Sequence, residues 1–270
     1  ENVEDFLKKA SDAEKILPDT LDAVWNATTK DSEDSADPFY LRFVAEGLDS
    51  GQISAHRPET VPTSLDDAFD EMWMNLPGDR DFILHRLLCT LAVMFDYADD
   101  ELFAELFSRD LPEGTEPLRP DDIAQLRSQA GKLLVYDGDR YQLFHDRFRV
   151  LLVGNNPDPI LSALGAKLRN SNIEILNDKL SKSMLDIYNI KSVSLNNYLI
   201  NYSVDHAKRN NNSSLVNKII RDFQLCATIY NTIDNYKFFE YLEYLNINTI
   251  DLYNSFKVPS ELEIELSVLV

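Results

Sequence analysis

Apolar residues recur at intervals of three and four along most of the chain, and that spacing predicts helices. In residues 1–27 the apolar positions Val3, Phe6, Leu7, Ile16, Leu17, Leu21, Val24 and Trp25 read as two short helices broken near Pro18. A polar loop, "TTKDSEDSAD" (28–37), comes next. "PFYLRFVAEGLDSG" (38–51) then carries Tyr40, Leu41, Val44 and Leu48 on one face, with Asp37 as N-cap, Pro38 in the first turn and Gly51 as a C-terminal stop. A linker over 52–62 leads to "TSLDDAFDEMWMNL" (63–76), a helix capped by Thr63 or Ser64 with acids in its first turn. Further helices are predicted at about 80–95, at 99–107 and at 120–133.

The period changes at 133–144. In "LLVYDGDRYQLF" two β-prone runs flank Asp137-Gly138-Asp139, a tight-turn signal for a hairpin. After His145 the helical spacing returns through Phe148, Leu151 and Leu152. Several helices followed by a two-stranded wing make the winged-helix arrangement, a variant of the helix-turn-helix. Beyond residue 158 the pattern predicts only helices: two over 158–189, two more over 194–233 split at the asparagine run 210–212, then "YKFFEYLEYL" and the last stretch. Helix pairs of ~35–40 residues without a strict repeat suggest a solenoid-like or bundle module.

Composition adds a boundary. Residues 1–150 hold 33 acids against 15 bases, whereas residues 151–270 hold 13 against 11 and 18 of the 21 asparagines. The change falls near 150–160 and marks a domain boundary. The net charge of −20 serves solubility, and the acidic first part argues against a direct nucleic-acid partner, because phosphate contacts need Lys and Arg. The helix at 120–133, which would enter a DNA groove, opens on Asp121 and Asp122 and offers only Arg127 and Lys132 as bases. No apolar run approaches the ~20 residues of a membrane helix. The chain lacks a basic-then-apolar leader, and Cys89 and Cys226 stand far apart in apolar helices, so a soluble, cytoplasmic protein is expected.

Catalytic patterns are missing. The eight glycines are nowhere arranged as a phosphate loop, and there is no His/Cys metal spacing and no nucleophile elbow. The acid pairs Asp66-Asp67, Asp99-Asp100 and Asp121-Asp122 each fall where a helix begins, as capping and dipole residues do. His145 is different: it stands where a strand meets a helix, at an N-terminus whose amides and dipole favour an anion, and its imidazole adds a donor of adjustable charge. Asp146 is positioned to hold the imidazole tautomer or to cap its own helix. The alternative for this pair is a core histidine plugging a helix start. His85 reads as a packing residue and His56 as an exposed linker residue. Trp25, Trp73 and the aromatic stretch 236–244 read as core.

From "DPFYLRFVAEGL" through "SLDDAFDEMWMNL", the helix at 82–95, "DRYQLFHDRFRVLL" and "LNNYLINYSVDHAKRNNNSSLVNKIIRDF", the chain resembles the back half of a STAND-class P-loop NTPase, the class that includes the NACHT and NB-ARC switches. The resemblance rests on the order and spacing of its segments more than on any one of them. It implies a mainly α fold: a helical lid at 1–57, a winged-helix domain with a small β-hairpin at 58–156, and an all-α helical connector or array at 157–270. Pro38 in "DPFYLR" matches a lid proline that in the family packs near the adenine. His145 and Asp146 in "FHDRF" match the family's "MHD"-type motif, whose histidine contacts the diphosphate of bound ADP and holds the inactive state; Phe144 departs from its methionine. His206 matches a connector histidine without a ligand role.

The resemblance further implies ADP or ATP with Mg, bound mostly by a P-loop domain outside this chain. Effector and P-loop domains are expected before residue 1 and a sensor after residue 270, with homo-oligomerisation on activation and a role in prokaryotic antiviral defence. The segment itself is expected to be non-catalytic. The competing expectation is a winged-helix and helical interaction scaffold with no nucleotide dependence.

Overall fold

The computed structural model describes residues 3–10, 16–29, 36–76, 83–111, 114–153, 173–247 and 252. They are mainly α-helical with one two-stranded antiparallel sheet, and they fall into two compact units, one within Glu1–Pro77 and one from Ile83 onward. The predicted first helix of the 158–189 stretch and the last stretch lie outside the described residues.

The first unit holds α1 (Val3–Ala10), α2 (Pro18–Thr29), α3 (Pro38–Ser50) and α4 (Leu65–Met74). The last three begin where the sequence supplies a start signal, with Pro18 opening α2 and Pro38 opening α3. Asp37 accepts from the backbone N–H groups of Phe39 and Tyr40 at 2.9 and 3.0 Å, and Ser64 accepts from that of Asp67 at 3.1 Å. α3 stops at Gly51, whose φ of 76° only glycine adopts freely. Val24, Tyr40, Val44, Ala68, Phe69 and Trp73 form the core, and the fully buried Tyr40 donates its hydroxyl to the Pro62 carbonyl. Gly47 is needed for packing: a Cβ there would stand 2.6 Å from Ile53 Cδ1.

The second unit starts with α5 (Ile83–Val93), buried on almost every side, then α6 (Asp100–Ser108) and α7 (Pro120–Ser128), then β1 (Leu134–Asp137), β2 (Arg140–Leu143) and α8 (Asp146–Val153). The hairpin pairs Leu134 with Leu143 and Asp137 with Arg140 around Gly138, whose φ is 61°. Between α5 and α6, Ala98 forms a bridge to Tyr141, with N–H to carbonyl distances of 3.0 and 2.7 Å. The elements thus run helix, bridge, helix, helix and hairpin. Under the hairpin sits one brace: Arg127 of α7 holds both Asp100 oxygens at 2.9 and 2.8 Å, Tyr141 donates to the same carboxylate at 2.9 Å, and the guanidinium lies over the Tyr141 ring. Burial first, and then the Asp100 charge, push the Tyr141 hydroxyl far above its usual range.

The later helices pack in the same unit: α9 (Ile173–Ser183), α10 (Val193–Arg209), α11 (Ser213–Arg221), α12 (Phe223–Thr232) and α13 (Asn235–Tyr244). α9 lies against α5, and Lys179 pairs with Asp110 over the Phe107 ring. The stretch expected to hold two helices, 194–233, holds three, because Asp222 ends α11 and caps α12 by accepting from the Leu225 N–H at 3.1 Å. A helix-compatible spacing continues across that kink, so periodicity alone does not reveal it.

Candidate functional site

The seam between β2 and α8 is built from both sides. Leu143, Phe148, Leu151 and Leu152 are buried, and the Phe144 N–H donates to the Leu133 carbonyl at 2.9 Å, so the chain's path out of the hairpin is fixed. Phe144 is left 49% exposed and His145 half-buried, so this edge stays open to a neighbour. The His145 ring turns onto its own helix: Nδ1 accepts from the Arg147 N–H at 3.1 Å, while its carbonyl accepts from the Arg149 N–H at 3.1 Å. Because Nδ1 is an acceptor, Nε2 is the nitrogen that carries the proton.

Asp146 occupies the first turn of α8, fully exposed, with one oxygen 4.0 Å from Arg149 Nε. The imidazole tautomer is therefore set by a backbone amide, and the helix is capped by His145 itself, so neither task falls to Asp146. A carboxylate in the first turn suits the helix dipole, and it also opposes any anion brought to the same end. Pro38 belongs to the first unit, exposed at the first position of α3 behind the Asp37 cap. So His145 and Asp146 are consecutive at one seam, and Pro38 stands on the other unit.

A second cluster, unforeseen as a group, gathers at the C-terminus of α5. Arg149 donates from Nη1 to the Met94 carbonyl at 2.9 Å, and Arg209 from its Nη1 to the Val93 carbonyl at 2.6 Å. The Arg209 guanidinium carbon lies 3.6 Å above the Phe95 ring. The Phe95 N–H donates to the Tyr198 hydroxyl at 3.2 Å, and that hydroxyl is 2.8 Å from His206 Nε2. His206 is wholly buried and packs edge-on against Phe95. Burial, and then the Arg209 charge, push it down to about 3, so it is neutral; it is structural, in line with its sequence reading. A signal for this cluster was present: α5 runs out through Met94-Phe95-Asp96 with no Gly or Asn to cap it, so its carbonyls need donors from elsewhere.

The remaining candidates divide. His85 is buried within α5 and His56 is exposed, in line with their sequence readings. Trp73 is buried, but Trp25 is 50% exposed, and on α13 Tyr236 and Phe239 face outward while Phe238 and Tyr241 are core. Helical spacing places an aromatic on a face but does not say whether that face is covered. Among the described residues no group of three or more His, Cys, Asp or Glu is arranged to hold a metal ion, and no helix is long and apolar enough to cross a membrane. No family model, no curated protein and no solved structure matches the chain.

Proposed function

We propose that this chain is the regulatory part of a STAND-class NTPase switch, in which a lid, a winged helix and a helical connector couple the ADP or ATP state and sensor engagement to oligomerisation. The observation that carries the reading is the His145 seam. A half-buried imidazole stands at a helix start, its orientation fixed through Nδ1 by the Arg147 N–H. A group so held can report a phosphate to the domain that carries it. The seam alone is a weak anion site: it supplies one ring donor and the Arg147 charge against the Asp146 carboxylate. A diphosphate with Mg would draw most of its binding from a P-loop domain outside residues 1–270, and Pro38 on the lid would meet the adenine. In this reading the segment is non-catalytic by itself, acts in the cytoplasm and does not bind nucleic acid. The last point is supported by Arg127, whose guanidinium is turned inward onto Asp100, and by Asp121, exposed at the start of α7. A prokaryotic antiviral role belongs to the same proposal.

The test is made in the full encoded protein. His145→Ala is expected to speed ADP release and to raise basal oligomerisation. Unchanged ADP retention together with an unchanged basal state would overturn the role of His145. The second reading, a nucleotide-independent scaffold, is favoured by the outward aromatics Tyr236 and Phe239; it predicts that the full protein neither retains nucleotide nor responds to it.

A further inference from the structure

We infer that Arg149 and Arg209 compete for the C-terminus of α5, so that the position of α8, which begins at His145, governs how firmly α10 is held.

The two arginines come from different elements and meet at consecutive carbonyls, Met94 and Val93. A helix end carries roughly half a negative charge, enough to favour one cation. Here it serves two, and each guanidinium disfavours the other: Arg209 is held below its usual range by burial first and also by the Arg149 charge, with Tyr198 and Asp205 acting in the other direction. Nearby acids do not resolve this competition. Asp146 reaches Arg149 only at 4.0 Å and fully exposed, and Asp96 is engaged with Arg140 at 3.0 Å.

The grips also differ. Arg149 holds the end of α5 through the Met94 carbonyl. Arg209 adds the Phe95 ring and sits beside the Tyr198–His206 pair, which takes the Phe95 N–H. Withdrawing Arg149 therefore relieves a repulsion and leaves Arg209 the better partner of the helix end. Arg149 is four residues after His145 and donates its own N–H to the His145 carbonyl, so a ligand that moved the His145 turn would move this arginine with it. The competition stands on these contacts alone; its use as a signal rests on the nucleotide reading of His145.

A double-mutant cycle in urea on the 270-residue chain tests it, with Arg149→Met, Arg209→Met and the pair. If the cations repel, each single variant gains back the same repulsion, which the double variant regains only once. The double variant is then destabilised beyond the product of the two singles, by about threefold or more in the unfolding constant, and the excess shrinks at high salt. The same cycle with Lys at both positions keeps the charges and gives a product within about twofold. A Met cycle that multiplies within about twofold, a double variant less destabilised than the product, or an equal excess in the Lys cycle overturns the competition. Should the double Met variant not fold, amide exchange of Arg149→Met alone decides. Relative to α12, the last turn of α10 is expected to exchange about threefold more slowly, and equal or faster exchange overturns the proposal. If the cycle shows the excess while His145→Ala leaves ADP retention unchanged, the competition stands and the nucleotide reading falls.

Discussion

His145 and His206 lie in the same compact unit and in opposite surroundings. His206 is enclosed: no part of it meets solvent, its Nε2 faces the Tyr198 hydroxyl, and burial keeps it neutral. His145 is half-buried, and its Nδ1 accepts from an amide of its own helix. A closed polar pair specifies a core, because every alternative leaves a buried donor or acceptor without a partner. A half-buried histidine on a rigid edge contributes less to stability than an enclosed one. The difference lies in the elements around each ring, since both residues are followed by helical sequence with a nearby arginine.

The contrast requires the edge carrying His145 to be rigid, and this gives the largest expected effect. Asp100→Ala strips the Arg127 and Tyr141 groups of their shared acceptor, at a cost of about 4 kcal/mol in denaturant unfolding. A loss below about 1 kcal/mol would mean the wing is not braced there. Next in size, His206→Ala leaves a cavity and takes the acceptor from the Tyr198 hydroxyl proton, for about 3 kcal/mol.

The pH response sharpens the same point. His206 titrates at about 3 when folded and near 6.5 in an unfolded chain, so between these values the unfolded state binds more protons. Stability contributed by the neutral ring is present above pH 6.5 and is lost as pH falls through that window, at up to ~1.4 kcal/mol per pH unit. Comparing unfolding at pH 7 and pH 5 for the wild type and His206→Gln measures it; an unchanged slope in the variant would remove His206 as the source. The smallest effect is expected at His145. His145→Ala loses a side-chain cap, about 1 kcal/mol in the same unfolding assay. If it cost as much as His206→Ala, the half-open and closed sites would be equivalent and the contrast would fail.

Much of this architecture was legible residue by residue. Asp37, Ser64 and Asp99 are helix caps because a short side-chain oxygen reaches a free amide two or three residues on, a local matter. Gly51 and Gly138 take positive φ where a stop and a turn were read. What escaped had no local signature. The kink at Asp222 hides inside continuous helical spacing, and the exposure of Trp25 and Tyr236 depends on which neighbours arrive to cover them. Arg149 was visible as a base beside the seam, but the Met94 carbonyl that receives it lies 55 residues back along the chain.

The sequence by itself determined where most helices start, where the hairpin turns, and that His145 stands at a strand–helix seam, because capping, glycine conformation and periodicity act within a few residues. Tertiary structure alone decided that Arg127 is spent beneath the hairpin on Asp100, and that two arginines share one helix end. Those outcomes depend on burial and on partners distant in sequence. Charge and hydrogen bonding acquire their meaning only once the surrounding groups, and the water they exclude, are in place.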